Sequence, residues 1–137
     1  MIYLDTCAAV KLTRVEPHTA ELVAWLAEQR GSRLIASALI EVELERALRR
    51  NEPGALPLVP SVLRRITRIE IDPEVRKTAA AYPDPLLRSL DAIHLATAQI
   101  LHSASGEGVT HFVTYDKRLI SAARAAGLAV AHPGAEY

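Results

Sequence analysis

The sequence predicts an α/β fold in which helices cover both faces of a mostly parallel sheet. Three observations carry that expectation. Short β-rich runs alternate with helical patterns along the chain, and the intervening segments are long enough to return each run in the same direction, as parallel pairing requires. Half of the residues are apolar, enough to fill a core on each side of a sheet. At 137 residues, one domain over residues 1–137 is expected, since single cores commonly run to ~100–150 residues.

The elements follow in order. Residues 2–4 read as the first strand, and Asp5 ends it and opens a helix. Within residues 18–30, Leu22, Val23, Leu26 and Ala27 recur at the spacing of one helical face. Residues 33–36 form the second strand, and Ser37 is placed to cap a helix running to about residue 50. Residues 51–61 hold Pro53, Gly54, Pro57 and Pro60 and are expected to form a projecting, turn-rich connection into a short helix over 61–65. A third strand over 66–71 and a helix over 74–81 come next. Tyr82-Pro83-Asp84-Pro85 then breaks the chain, because a residue before proline is pushed out of the helical region. A helix over 89–103, a strand over 111–114, a helix over 117–126 stopped by Gly127, and a strand over 128–131 complete the chain.

Sixteen basic and sixteen acidic residues balance, so no global field draws in a polyanion. By segment the charge is −3 over residues 1–45, +4 over 46–88 and −1 over 89–137. The central block holds Arg46, Arg49, Arg50, Arg64, Arg65 and Arg68, side chains whose planar fork suits phosphate. Such a run also serves as a solvated helix surface; as a nucleic-acid contact, Arg46, Arg49 and Arg50 are the candidates. Cys7 is the single cysteine and cannot pair within the chain, which points to a reducing, cytoplasmic setting. The opening residues show no basic leader before an apolar stretch. The longest run without formal charge, 92–106, is broken by His94, Gln99 and His102 and falls short of the ~20 apolar residues a span needs. A soluble protein is expected.

Four carboxylates stand out. Asp5 and Asp116 each follow a strand and precede a helix, where open α/β sheets gather ligands and where an acid also serves simply as an N-cap. Should the first and fourth strands be neighbours, the two acids stand side by side with Thr114 close by. Glu43 lies between Leu39 and Ala47 on a helical wheel, inside the arc of Ile40 and Leu44, while Glu41, Glu45 and Arg49 take the opposite side. An inward carboxylate needs a partner: Arg46 or Arg50 three and seven residues on, or a cation. Asp91 opens a helix apolar almost all round, so the helix is expected to be largely buried and Asp91 to need a cation, with His94 one turn on able to orient it or to act as a core residue. Converging acids repel at ~4 kcal/mol per close pair at 4 Å and an effective dielectric of 20, and a divalent ion relieves this. An all-oxygen donor set favours Mg²⁺ or Mn²⁺; the five histidines lack the short spacings of a zinc site. A carboxylate-held ion suits phosphodiester hydrolysis by an activated water.

Four stretches carry a resemblance that covers nearly the whole chain: Ile2-Tyr3-Leu4-Asp5-Thr6, the run from Ser37 to Ala47 (SALIEVELERA), Leu90-Asp91-Ala92-Ile93-His94-Leu95-Ala96-Thr97-Ala98, and Thr114-Tyr115-Asp116-Lys117-Arg118-Leu119. The chain resembles PIN-domain ribonucleases, specifically VapC-like toxins of type II toxin–antitoxin pairs. That resemblance implies a three-layer α/β/α sandwich around a central, mostly parallel sheet. It implies that Asp5, Glu43, Asp91 and Asp116 hold Mg²⁺ or Mn²⁺, with Thr6, Ser37 and Thr114 as supporting polar residues. It further implies cleavage of RNA, a homodimer with two sites in one groove, and a VapB-like antitoxin whose C-terminal segment covers that groove.

Two other readings compete. An Asp-dependent phosphatase places its nucleophile after a first strand but carries a second Asp two residues on, where this chain has Cys7. A catalytically silent α/β module that only binds an antitoxin-like partner explains Asp5 and Asp116 as caps but leaves Glu43 unexplained. No Walker loop and no Gly-x-Ser-x-Gly elbow occurs.

Overall fold

The computed structural model describes residues 1–137. Five parallel strands form one sheet in the order β3-β2-β1-β4-β5, where β1 is Ile2–Leu4, β2 Leu34–Ser37, β3 Ile66–Ile69, β4 His111–Val113 and β5 Val130–Ala131. Between them run α1 (Thr6–Lys11), α2 (Thr19–Glu28), α3 (Ile40–Asn51), a 3₁₀ helix (Pro53–Leu58), α4 (Val59–Leu63), α5 (Pro73–Ala81), α6 (Ser89–Ala104) and α7 (Lys117–Ala125). This is the layered α/β architecture expected, with alternation and crossover length as its cause.

The period-2 alternation of β1 divides the interior. Ile2 and Leu4 face a core built with Ala8, Leu22, Leu44 and Leu48, from α1, α2 and α3. Tyr3 faces the opposite core with Leu95, Phe112, Leu119 and Ala123, under α6 and α7. All three β1 residues are fully buried, because the strand is paired on both edges and covered on both faces. Tyr3 stacks flat on Phe112 of the neighbouring strand, with ring centroids 5.0 Å apart.

The expectations fail at a few places for identifiable reasons. Ser37 does not cap a helix. It is the last residue of β2, and Ala38 N–H, donating to the Ile69 carbonyl at 2.7 Å, completes the pairing with β3; Ala38 and Leu39 then turn, and α3 begins at Ile40 without a side-chain cap. Residues 51–61 do not project. Pro53 and Pro60 sit in the first turns of the 3₁₀ helix and α4, where a missing N–H costs nothing, and Ala55 and Val59 are buried against α3. The short helix there starts at Val59 rather than 61, β3 ends at Ile69, and β5 is confined to two residues. Gly127 ends α7 as read, in the left-handed region at φ 85°.

Candidate active site

The strand order reverses between β1 and β4, which pair directly: Leu4 lies opposite Val113, and Asp5 N–H donates to the Val113 carbonyl at 3.1 Å. Crevices at such a reversal, beyond the carboxyl ends of the strands, are where open α/β sheets bind ligands. Asp5 follows β1 there, and Thr114 and Asp116 follow β4.

One hydroxyl ties these residues together. Thr114, with no exposed surface, donates from Oγ1 to Asp5 Oδ2 at 2.9 Å and accepts from Asp116 N–H at 3.2 Å. Asp5 Oδ2 also takes the Cys7 thiol at 3.2 Å, and its Oδ1 takes Thr6 N–H at 2.7 Å. Burial, followed by the Asp5 charge, pushes the Cys7 thiol up well beyond neutrality, so it remains a proton donor to Asp5. Asp116 accepts from Arg118 N–H at 2.9 Å and Leu119 N–H at 3.2 Å, the N-cap of α7. Both acids therefore serve as helix caps and also stand at the crevice.

Glu43 reaches the same place from α3. Its Oε1 accepts from Thr6 Oγ1 at 2.7 Å and from His94 Nε2 at 2.6 Å. The partner is thus His94 rather than Arg46 or Arg50. Burial pushes the Glu43 carboxyl up, but the His94 bond and charge and the Thr6 bond outweigh it and hold the carboxyl below its usual range. His94 is 1% exposed, and its Nδ1 lies 2.7 Å from the Tyr3 hydroxyl. Burial pulls the imidazole down, yet the Glu43 bond with the Asp5, Glu43 and Asp91 charges brings it above its usual value.

Asp91, in the first turn of α6, lines a cleft of about 260 Å³ with Glu43, Arg88, Ser89, Leu90 and Asp116. Burial raises its carboxyl, and the Asp5 and Asp116 charges raise it further, against the weaker pull of Arg88 and His94. Carboxylates from four elements thus share one field, unevenly relieved. As they stand, no three His, Cys, Asp or Glu side chains are grouped closely enough to form a ready-made metal cage. Asp5, Glu43 and Asp116 are tied to the chain's own donors instead. An all-oxygen donor set and an acid held up by its neighbours' charges still match what a hard divalent cation relieves.

Of the polar residues named from the sequence, Thr6 and Thr114 touch these acids. Ser37 does not: its Oγ accepts from Leu39 N–H at 3.2 Å, and its N–H donates to the Tyr3 hydroxyl at 3.0 Å. Arg46, Arg49 and Arg50 are exposed on α3 and take no part in the chain's ion pairs. The α6 helix is buried from Ala92 through Ala98 except for the half-covered Ile93, but Leu90 at its start is 47% exposed. Tyr3 and Arg88 carry no sequence signal of their own, and along the chain His94 stands next to Asp91 rather than Glu43. Two misfits in the sequence, an inward Glu and a His on an apolar helix, each needed a buried partner, and matching them would have found the pair.

Comparison with known proteins bears on the whole chain. The sequence matches the PIN domain family over residues 2–125. It is 57% identical over 134 residues to Ribonuclease VapC35 of Mycobacterium tuberculosis, covering 98% of each chain. Two solved structures are similar in fold. A toxin–antitoxin complex from Klebsiella pneumoniae gives a TM-score of 0.71 at 18% identity, over 97% of this chain and 98% of that one. VapC20 of M. tuberculosis, described as a sarcin–ricin loop cleaving toxin, gives a TM-score of 0.70 at 12% identity, over 89% and 95%.

Proposed function

The chain belongs to the PIN-domain family, and on that premise we propose that it is a Mg²⁺- or Mn²⁺-dependent endoribonuclease, the toxin of a type II toxin–antitoxin pair. The observation that carries this reading is the approach of acids from separate elements at the β1/β4 reversal, with Glu43, Asp91 and Asp116 on one cleft and Asp5 beside them. Asp5, Glu43, Asp91 and Asp116 would hold the cation. When bound, it supplies Lewis-acid polarisation of the scissile phosphate and lowers the pKa of an attacking water.

The chain's own residues do the rest. Thr114 keeps Asp5 and the start of α7 in register, so that Asp116 stays beside Asp5. Thr6 and His94 hold the Glu43 carboxylate on a fixed rotamer. Arg88, exposed at the cleft, is placed to meet a phosphate oxygen. Arg46 and Arg50 follow Glu43 by three and seven residues, so they extend its side of α3 as a basic track for RNA, with Arg49 on the outer, polar side of the same helix.

A phosphatase using Asp5 as nucleophile is disfavoured, because the second acid it needs two residues on is replaced by Cys7, whose thiol donates to Asp5 Oδ2 at 3.2 Å. Leu86 and Leu90 stand exposed beside Asp91, apolar surface suited to a VapB-like antitoxin segment or a second copy of the chain in a homodimer. No helix is long and apolar enough to cross a membrane.

The test is cleavage of structured RNA by the purified protein, with Mn²⁺ or Mg²⁺ and with chelator. Cleavage should require the cation and disappear in Glu43→Gln with the circular dichroism spectrum retained. Chelator-resistant cleavage, or full activity of that variant, would remove the acids from the chemistry. Binding of a co-expressed antitoxin by a protein that never cuts RNA would favour the silent interaction module.

A further inference from the structure

A chain of hydrogen bonds runs from the sheet to Glu43 and uses two residues that cation binding does not by itself require. Ser37 N–H donates to the Tyr3 hydroxyl at 3.0 Å, that hydroxyl lies 2.7 Å from His94 Nδ1, and His94 Nε2 lies 2.6 Å from Glu43 Oε1. A carboxylate only accepts, so the network assigns a proton to Nε2. In the neutral ring, Nδ1 is then the lone-pair nitrogen, and the Tyr3 hydroxyl donates to it. In that form the chain of donors is directional: β2 backbone to β1 phenol, phenol to α6 imidazole, imidazole to α3 carboxylate; in the charged ring Nδ1–H donates to the phenol and the Nε2–H bond to Glu43 is unchanged.

Rigidity supports a positioning role. Tyr3 has no exposed surface and is stacked on Phe112, and its ring also meets His94 edge-on at 5.9 Å. His94 Nε2 also lies 3.7 Å from Asp5 Oδ1, so one N–H dipole stands between two acids from different elements. Thr6 closes the group, donating to Glu43 at 2.7 Å with its Oγ1 3.3 Å from His94 Nε2.

From this geometry we propose that His94, held in place by the Tyr3 hydroxyl, is the positioning residue that aims Glu43 at the cation. His94 touches neither substrate nor cation. It fixes the rotamer of Glu43 and separates that carboxylate from Asp5, so removing it should weaken cation binding by about 10–100-fold, the usual cost of losing such an orienting partner. The proposal rests on the cation-dependent reading above, and its test separates the two.

The experiment measures Mn²⁺ binding by calorimetry, RNA cleavage kinetics, and the imidazole ¹⁵N resonances of ¹⁵N-histidine-labelled protein, for wild type, His94→Leu, His94→Gln and Tyr3→Phe. Wild type should show a protonated Nε2 at His94. His94→Leu should lose 10–100-fold in Mn²⁺ affinity and kcat with KM for RNA nearly unchanged. His94→Gln, which keeps an N–H donor near Glu43, should recover part of the loss. Tyr3→Phe retains the ring stacked on Phe112, so it serves where His94→Leu fails to fold; it should leave His94 Nδ1 without its partner, loosen the ring and weaken Mn²⁺ severalfold. Native Mn²⁺ affinity in folded His94→Leu or Tyr3→Phe, an unprotonated Nε2 in the wild type, or no Mn²⁺ uptake by the wild type would each overturn the proposal. Loss of Mn²⁺ affinity in these variants of a protein that cuts no RNA would sustain the positioning role and refute the nuclease reading.

Discussion

Replacing Thr114 by valine removes one oxygen and leaves the shape almost unchanged, so it isolates what that hydroxyl does between the two strand-end acids. The hydroxyl donates to the Asp5 carboxylate at 2.9 Å and accepts from Asp116 N–H at 3.2 Å, with no solvent exposure at Thr114. A hydrogen bond to a charged group contributes about 1.5–3 kcal/mol, and an N–H left without its partner costs about 1 kcal/mol where water can partly reach it. Asp116 is half-buried, so the lower figure applies to its N–H. Thr114→Val should therefore cost about 2–4 kcal/mol of unfolding free energy. For a chain of this length that is roughly 6–15 °C in Tm. The assay is urea unfolding in chelator at neutral pH, with Thr114→Ser as a control that keeps the oxygen and loses only a methyl, at about 1 kcal/mol. A double-mutant cycle with Asp5→Asn should show coupling of the same order as the charged bond. If Thr114→Val lies within about 0.5 kcal/mol of wild type, the scale of an uninvolved surface change, Thr114 does not hold Asp5 and Asp116 together.

Asp91→Asn should melt higher than wild type in chelator, because it removes a charge that Asp5 and Asp116 repel, and should lose most of the Mn²⁺ stabilisation, which in wild type reaches about 2.7 kcal/mol at a hundredfold excess over Kd. A lower chelated Tm together with an intact Mn²⁺ response would contradict that account. The Glu43–His94 pair should bound a stability plateau in the metal-free protein. Glu43, held below its usual 4.5, contributes above that pH and loses its contribution as pH falls through the folded value. His94, raised above 6.5, contributes fully below that pH and loses its contribution as pH rises through the folded value. Stability curves of Glu43→Gln should be flatter on both limbs, and unchanged limbs would place the pH dependence elsewhere. In the segment that packs rather than projects, Val59→Ala should cost about 1–3 kcal/mol by chemical unfolding. The neighbouring exposed Leu58→Ala should stay within about 0.5 kcal/mol; equal costs would argue against the packed arrangement.

Much of the fold was readable along the chain because its signals are local. Strand and helix periods differ, Gly127 stops α7, and Asp5 and Asp116 each sit at a strand-to-helix boundary where their own backbone neighbours supply the capping N–H groups. The segment around Pro53 and Pro60 misled because proline signals a break equally well in a loop and at the first turn of a helix; only its contact with α3 decides between them. Ser37 misled in the same way, since its side chain could cap, but pairing with β3 runs through Ser37 itself and a two-residue turn separates it from α3.

What the sequence determined by itself was the set of chemical types and their local frames: four acids, two on strand ends, one on the inner side of a helix and one in a first helical turn. Which acid meets which donor was decided only by tertiary structure. His94 is three residues from Asp91 but bonds to Glu43, fifty-one residues away, and Thr114 bridges to Asp5 across one hundred and nine. Those pairings depend on the order of strands in the sheet and on the depth at which α3 and α6 pack, long-range quantities set by the burial of whole faces rather than by any single run of residues.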